Sequence, residues 1–253
     1  LKITFLGTGT SQGVPVIGCK CEVCQSLDYR DKRLRVSVLI ETKNTTLVID
    51  TGPDFRQQML RERASRLDAI LLTHSHKDHI AGLDDVRAFN FLQEKGMPIF
   101  GTHDTLEQVK KEFYYAFEEK RYPGTPELTL HEIDTDAFDV NGIKITPLPV
   151  MHMRMPVLGF RVGDFSYITD ANYISDDTLK KIQGTKILVL NALQREKHLS
   201  HFNLTEALEQ AKNIGAQQTY FTHVSHKMGL HQSVSSELPE TISFAYDGLV
   251  VTL

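Results

Sequence analysis

Cysteine is scarce in this 253-residue chain: there are three, all between positions 19 and 24. An odd, clustered set of that kind builds no disulfide framework. Long apolar runs are missing too. No stretch approaches the roughly 18 residues of a helical membrane span, so no membrane partner is expected. Basic residues are not in excess. Lys and Arg number 28 against 32 Asp and Glu, a net charge of −4 with the histidines neutral. A protein that grips long nucleic acid usually presents a basic face, so any nucleic-acid partner is expected to be limited to nucleotides or RNA ends. No repeat, linker or low-complexity segment appears. The opening "LKITFLGTGT" is too short and glycine-rich for a signal peptide and reads as a strand running into a turn. A cytoplasmic protein is the expectation.

What the chain has is ordinary globular material, 41% hydrophobic and 24% charged, enough for a large buried core. Short β-branched and aromatic runs recur from end to end, among them "KITFLG", "TTLVID", "DAILLTH", "FSYITD", "KILVLNA" and "QTYFTH". Helical patterns lie between them: "DFRQQMLRERA", "LDDVRAFNFLQEK", "TLEQVKKEFYYAFEEK", "DDTLKKIQ" and "LTEALEQAKNIG". The last has Asn203 as a cap and Gly215 as a stop. Asn141-Gly142 in "FDVNGIKIT" marks a hairpin turn. Interleaved strands and helices predict a mixed α/β fold, read as one domain over 1–253.

The densest chemistry is "THSHKDH", residues 73–79, which packs His74, His76, Asp78 and His79 into six positions. Three further strand-like runs end on a metal-ligand type, at His152, Asp170 and His223. Sites in α/β proteins form where strand ends converge, so residues far apart in sequence suit one shared pocket. Imidazole and carboxylate together favour zinc, and also suit manganese or iron.

This H-x-H-x-D-H signature, with a downstream His, Asp and His in order, resembles the metallo-β-lactamase-fold hydrolase superfamily over essentially the whole chain. The resemblance implies a four-layer αββα sandwich with two divalent metal ions at one edge. It assigns His74, His76 and His152 to the first metal, Asp78, His79 and His223 to the second, and Asp170 to a bridging position. Asp78 also stands among the expected catalytic residues. Asp50, which closes the strand before the loop, is expected to support the metal loop from behind.

"GCKCEVC" carries Cys19, Cys21 and Cys24, close enough for one soft or borderline metal but one ligand short of a tetrahedral set. The opening "FLGTGTSQGVPVIGCKCEVC" resembles the branch containing the cyclic phosphodiesterase of bacterial phosphonate breakdown, which implies a structural zinc completed by a histidine. His226 in "THVSHKMG" is the expected fourth ligand, with His231 as its rival. The same branch implies a catalytic role for His201, with His198 as a competitor, since a departing alkoxide needs a proton donor. His103 and His131 read as surface or supporting residues. The glycine-rich "GTGTSQG" is no dinucleotide fingerprint and reads as a tight turn beneath the site.

The expected activity is hydrolysis of a small phosphate diester, cyclic forms included. The competing readings are a tRNA 3′-end endonuclease, a thioester, lactone or β-lactam hydrolase, and a metal-binding protein without catalysis. The endonuclease usually carries an extended basic arm with no clear counterpart here, and the cysteine cluster is not expected in the thioester and lactam hydrolases. The sequence leaves the oligomeric state open, with a homodimer as one form it allows.

Overall fold

A computed structural model describes residues 1–253. Two sheets form its centre. The first contains β1 (Lys2–Gly7), β2 (Ser37–Glu41), β3 (Thr46–Ile49), β4 (Ala69–Leu71), β5 (Met97–Gly101) and β6 (Leu128–Glu132) in that order, with β15 (Val250–Thr252) outside β1. The second contains β7 (Phe138–Val140), β8 (Ile143–His152), β9 (Met155–Val162), β10 (Phe165–Ile168), β11 (Tyr173–Ile174), β12 (Ile187–Asn191), β13 (Gln218–Thr222) and β14 (Ile242–Phe244). Its order is β11-β8-β9-β10-β12-β13-β14, and β7 pairs with β8. The helices are α1 (Glu22–Gln25), α2 (Phe55–Arg61), α3 (Lys77–Ile80), α4 (Arg87–Gln93), α5 (His103–Glu112), α6 (Asp176–Ile182), α7 (Leu204–Ile214) and α8 (His231–Ser235).

Why the central strands read as near-continuous apolar runs is now plain: they are buried on both faces. In β2 and β3, Val38, Ile40, Leu47 and Ile49 face the core between the sheets, while Leu39 and Val48 face an outer core. That outer core is closed by Phe55 and Met59 of α2, Phe89 of α4, and Leu106 and Val109 of α5. On the other side, Ile182 of α6 and Leu204, Ala207 and Ala211 of α7 cover Leu188 and Leu190 of β12. The result is the αββα sandwich.

Strands β3 to β6 run parallel, and so do β10, β12, β13 and β14. Their carboxyl ends therefore deliver loops to common edges, which is where α/β folds place their sites. Helix α7 has the cap expected of it. Asn203 and Glu206 form a capping box, and Gly215 ends the helix in the left-handed region at φ +66°. The Asn141-Gly142 turn has both residues at positive φ, as a tight hairpin requires. One helix is shorter than its sequence pattern. The run "TLEQVKKEFYYAFEEK" leaves the α-helix after Glu112, because Phe113 and Ala116 turn into the outer core through a 3₁₀ turn. Strands β11 and β14, of 2 and 3 residues, were too short to stand out in the sequence.

Candidate metal centre

Strand ends build the site, and backbone geometry aims the side chains. Asp50 follows β3, Asp170 lies just past β10, and His223 follows β13; all three adopt φ between 55° and 64°. Non-glycine residues rarely occupy this left-handed region, and where they do the surrounding structure holds them there. The turn it makes breaks each strand and swings its last side chain inward. The loop 74–79 is strapped to the segment after β3 by two backbone bonds, Thr51 N–H to the His79 carbonyl (2.7 Å) and Gly82 N–H to that of Thr51 (2.8 Å). A Cβ at Gly52 would stand 2.1 Å from the Asp78 carbonyl oxygen, so only glycine permits this approach.

The geometry collects the residues in overlapping groups. His74, His76 and His152 have ligand atoms within 4.8 Å of one another, as do Asp78, His79 and His223, and also His74, His79 and Asp170. His79 Nε2 lies 3.2 Å from Asp78 and 3.4 Å from Asp170, and His223 Nε2 lies 3.2 Å from Asp170. Two ligand atoms bound to one tetrahedral zinc stand about 3.3 Å apart. His79 Nε2 and both ring nitrogens of His223 are buried without a hydrogen-bond partner. Buried polar atoms left unpartnered are costly, and a cation between them would satisfy the two Nε2 atoms. The donor set thus fits divalent metal.

A second layer orients these ligands. Asp50, fully buried, accepts from His79 Nδ1 (2.7 Å), the Thr73 amide (2.9 Å) and the Thr73 hydroxyl (2.8 Å to Oδ2). His152 Nδ1 donates to the Ser200 carbonyl at 2.8 Å. Each bond fixes a tautomer and leaves Nε2 for the site. Thr73 and Ser200 escaped the sequence reading. Their only signal was adjacency to His74 and His201.

His201 comes from the loop between β12 and α7, and its Nε2 lies 3.0 Å from Asp170 Oδ1. Its Nδ1 meets the Ser200 hydroxyl at 2.8 Å. Burial pushes its pKa down to about 4, with the Asp170 bond opposing. Burial works against charge on Asp170 too, but His223, His79 and His201 outweigh it and hold the carboxyl well below the usual range. His198 stands one step further out, exposed, with Nδ1 3.2 Å from the Ser200 hydroxyl.

A separate cluster joins the chain's beginning to its end. The sulfurs of Cys19, Cys21 and Cys24 lie 3.3, 3.4 and 3.6 Å from His226 Nδ1. Sulfur and nitrogen on one tetrahedral zinc stand about 3.5 Å apart. The Cys24 amide and His226 hold the Cys21 thiol down to about 6, while burial pushes that of Cys24 up to about 11. His231 is elsewhere: its ring Nδ1 faces Arg33 Nη2 at 3.1 Å and its amide donates to Asp31. His103 pairs with Glu132 on the surface, and His131 stacks on Phe100. The "GTGTSQG" turn packs against the segment after His223, with mutual bonds between Thr8, Thr10 and Val224.

An αββα sandwich with histidine–aspartate clusters at its strand ends is the arrangement of a metallo-β-lactamase-fold hydrolase. The family model described as "Beta-lactamase superfamily domain" matches residues 45–224, and the chain belongs to that family. The crystal structure of a diphosphatase from the PhnP family is 38% identical, covers 100% of this chain and 97% of its own, and superposes with a TM-score of 0.93. An octanoyltransferase of Porphyromonas gingivalis is 38% identical over 252 residues, 98% of this chain. The chain spans about half of that relative's length (51%). A ribonuclease Z of a Mycobacterium species (strain KMS) is 26% identical over 88% of this chain and 84% of its own. No helix is long and apolar enough to cross a membrane.

Proposed function

We propose that this chain is a binuclear metal-dependent hydrolase that cleaves a small phosphate ester bearing two oxygen substituents, cyclic diesters included. The observation that carries the reading is the placement of His201 Nε2, 3.0 Å from Asp170 and so directly on the candidate metal cluster. His74, His76 and His152 would hold one divalent ion, Asp78, His79 and His223 the other, and Asp170 would bridge them. Zinc suits the donors best, and manganese or iron are alternatives. The chemistry such ions supply when bound is neutralisation of charge at phosphorus and activation of a water. Cys19, Cys21, Cys24 and His226 would hold a structural zinc. In a P–O–P anhydride, the linkage a diphosphatase such as the PhnP-family relative would cleave, a phosphorus that also carries an ester bears two oxygen substituents, as in a diester.

The protein's own side chains set up the reaction. Asp50 and the Ser200 carbonyl fix His79 and His152. The Ser200 hydroxyl donates to His201 Nδ1, leaving the Nε2 proton facing the site. There His201 stabilises the developing charge or gives a proton to the leaving oxygen. Metal-loaded protein is expected to turn over bis(p-nitrophenyl) phosphate faster than p-nitrophenyl phosphate. The opposite order would overturn the diester reading.

The leaving group decides how much His201 matters. An alkoxide leaves badly without a proton, whereas p-nitrophenolate leaves unaided. His201→Ala should keep its metals and lose about 10²–10⁴-fold on a ribose cyclic phosphate. It should lose less on the nitrophenyl ester. Equal losses on both would point to charge stabilisation or substrate binding. Full retention would remove His201 from the mechanism and leave His198→Ala as the next variant to measure.

Similarity to ribonuclease Z over most of the chain supports a second reading, processing of an RNA 3′ end. Cleavage of a precursor tRNA in preference to any small diester would establish it.

A further inference from the structure

Close in the chain to His152, Asp170 and His201 stand exposed apolar side chains that the core does not use. Met153, Tyr173 and Leu199 are 54%, 58% and 81% exposed, and they come from three different segments. Met153 sits in the turn after His152, Tyr173 opens β11 opposite Met151, and Leu199 lies two residues before His201.

Asn172 clips these segments together. Its side-chain oxygen accepts from the Met153 amide (2.8 Å), its side-chain nitrogen donates to the Leu199 carbonyl (3.1 Å), and its own amide donates to the Met151 carbonyl (2.9 Å). The His152–Ser200 bond closes the same ring of contacts from inside. Met153 is held at φ +56°, an unfavourable conformation for its side-chain type. Exposed apolar groups scattered singly mean little, but several gathered at the mouth of a polar pocket mark a binding surface. Arg154, in the same turn as Met153, is exposed. It brings positive charge to the rim, which suits a phosphate.

We propose that Tyr173, Met153 and Leu199 form a stacking wall for the base of a nucleotide substrate, held in place beside the metal centre by Asn172. This names a substrate class for the phosphate-ester hydrolysis proposed above and rests on that reading. The openness of the wall decides between ligands. An acyl chain gains most when enclosed on all sides, and these side chains stand half or more in water. A flat base gains by laying one face on an aromatic ring and a thioether while its edge stays solvated.

The test is calorimetric, so it does not depend on turnover. Zinc-loaded protein is titrated with AMP, with ribose 5-phosphate and with octanoate. AMP is expected to bind about tenfold or more tighter than ribose 5-phosphate, the size of one base stacked on an aromatic side chain. Tyr173→Ala combined with Leu199→Ser should erase that advantage and leave the ribose 5-phosphate affinity unchanged. Tyr173→Phe should keep it, since the ring and not the hydroxyl is what stacks. Equal affinities for the two phosphates in the unaltered protein would overturn the proposal. So would an equal loss on both in the double variant, or octanoate binding that the double variant abolishes while AMP shows no advantage. Hydrolysis of bis(p-nitrophenyl) phosphate by the unaltered protein is read separately. Its failure would sink the phosphodiester reading whatever the calorimetry gives.

Discussion

Asp170→Ala is expected to lower diester turnover by on the order of 10³-fold and to cut metal content at the same time. Its side chain belongs to two of the candidate ligand groups, His74–His79–Asp170 and His152–Asp170–His201. Its carboxylate stands 3.0 Å from His201, 3.2 Å from His223 and 3.4 Å from His79, and it also shares a potential ligand group with His74. Its removal takes away the one negative charge common to both proposed metal positions and the partner of the His201 ring. Metal content by mass spectrometry, measured beside turnover on one preparation, separates the two effects. Full activity in a variant with its metals verified would remove Asp170 from the bridging role.

Loss of a cysteine in the second cluster should act on stability instead. The sulfurs of Cys19, Cys21 and Cys24 are 207, 205 and 202 residues from their histidine partner in sequence. A metal there would tie the two ends of the chain together, and the small Val14–Val23–Cys24 cluster beside it holds little apolar area of its own. Structural zinc contributes directly to folding free energy. Cys21→Ser is expected to lose one equivalent of zinc and to melt roughly 10 °C or more below the unaltered protein. A chelator should bring the unaltered protein down to the same point. Turnover per remaining active-site metal should change little, because none of the three cysteines reaches the histidine–aspartate cluster. A variant with unchanged zinc content and melting temperature would contradict the structural-zinc proposal.

Much of the molecule was readable from the chain because its determinants are local. Helix α7 is an example: Asn203, Glu206 and Gly215 set its ends wherever the helix packs. The strand at Lys2–Gly7 and the hairpin at Asn141-Gly142 are similar cases. The "THSHKDH" run was readable for the same reason, since seven consecutive residues cannot lie far apart. Where local preference conflicted with packing, packing decided. The α-helix expected to continue past Glu112 stops there because Phe113 and Ala116 are needed in the outer core.

The sequence by itself determined the interleaving of strands and helices, the strand ends that carry histidine or aspartate, and the cysteine spacing. Those follow from apolar periodicity and from residue type at fixed offsets. Only the tertiary structure decided which distant residues meet. It placed His226, not His231, among the cysteines, and it turned His231 to Arg33. It set His201 against Asp170 and left His198 outside it. It brought Asn172 between the turn at Met153 and the loop at Leu199. The physical reason is the same in each case. A side chain's neighbours depend on how parallel strands from two sheets stack and where a left-handed residue such as Asp170 or His223 breaks them, and neither leaves a local pattern in the chain.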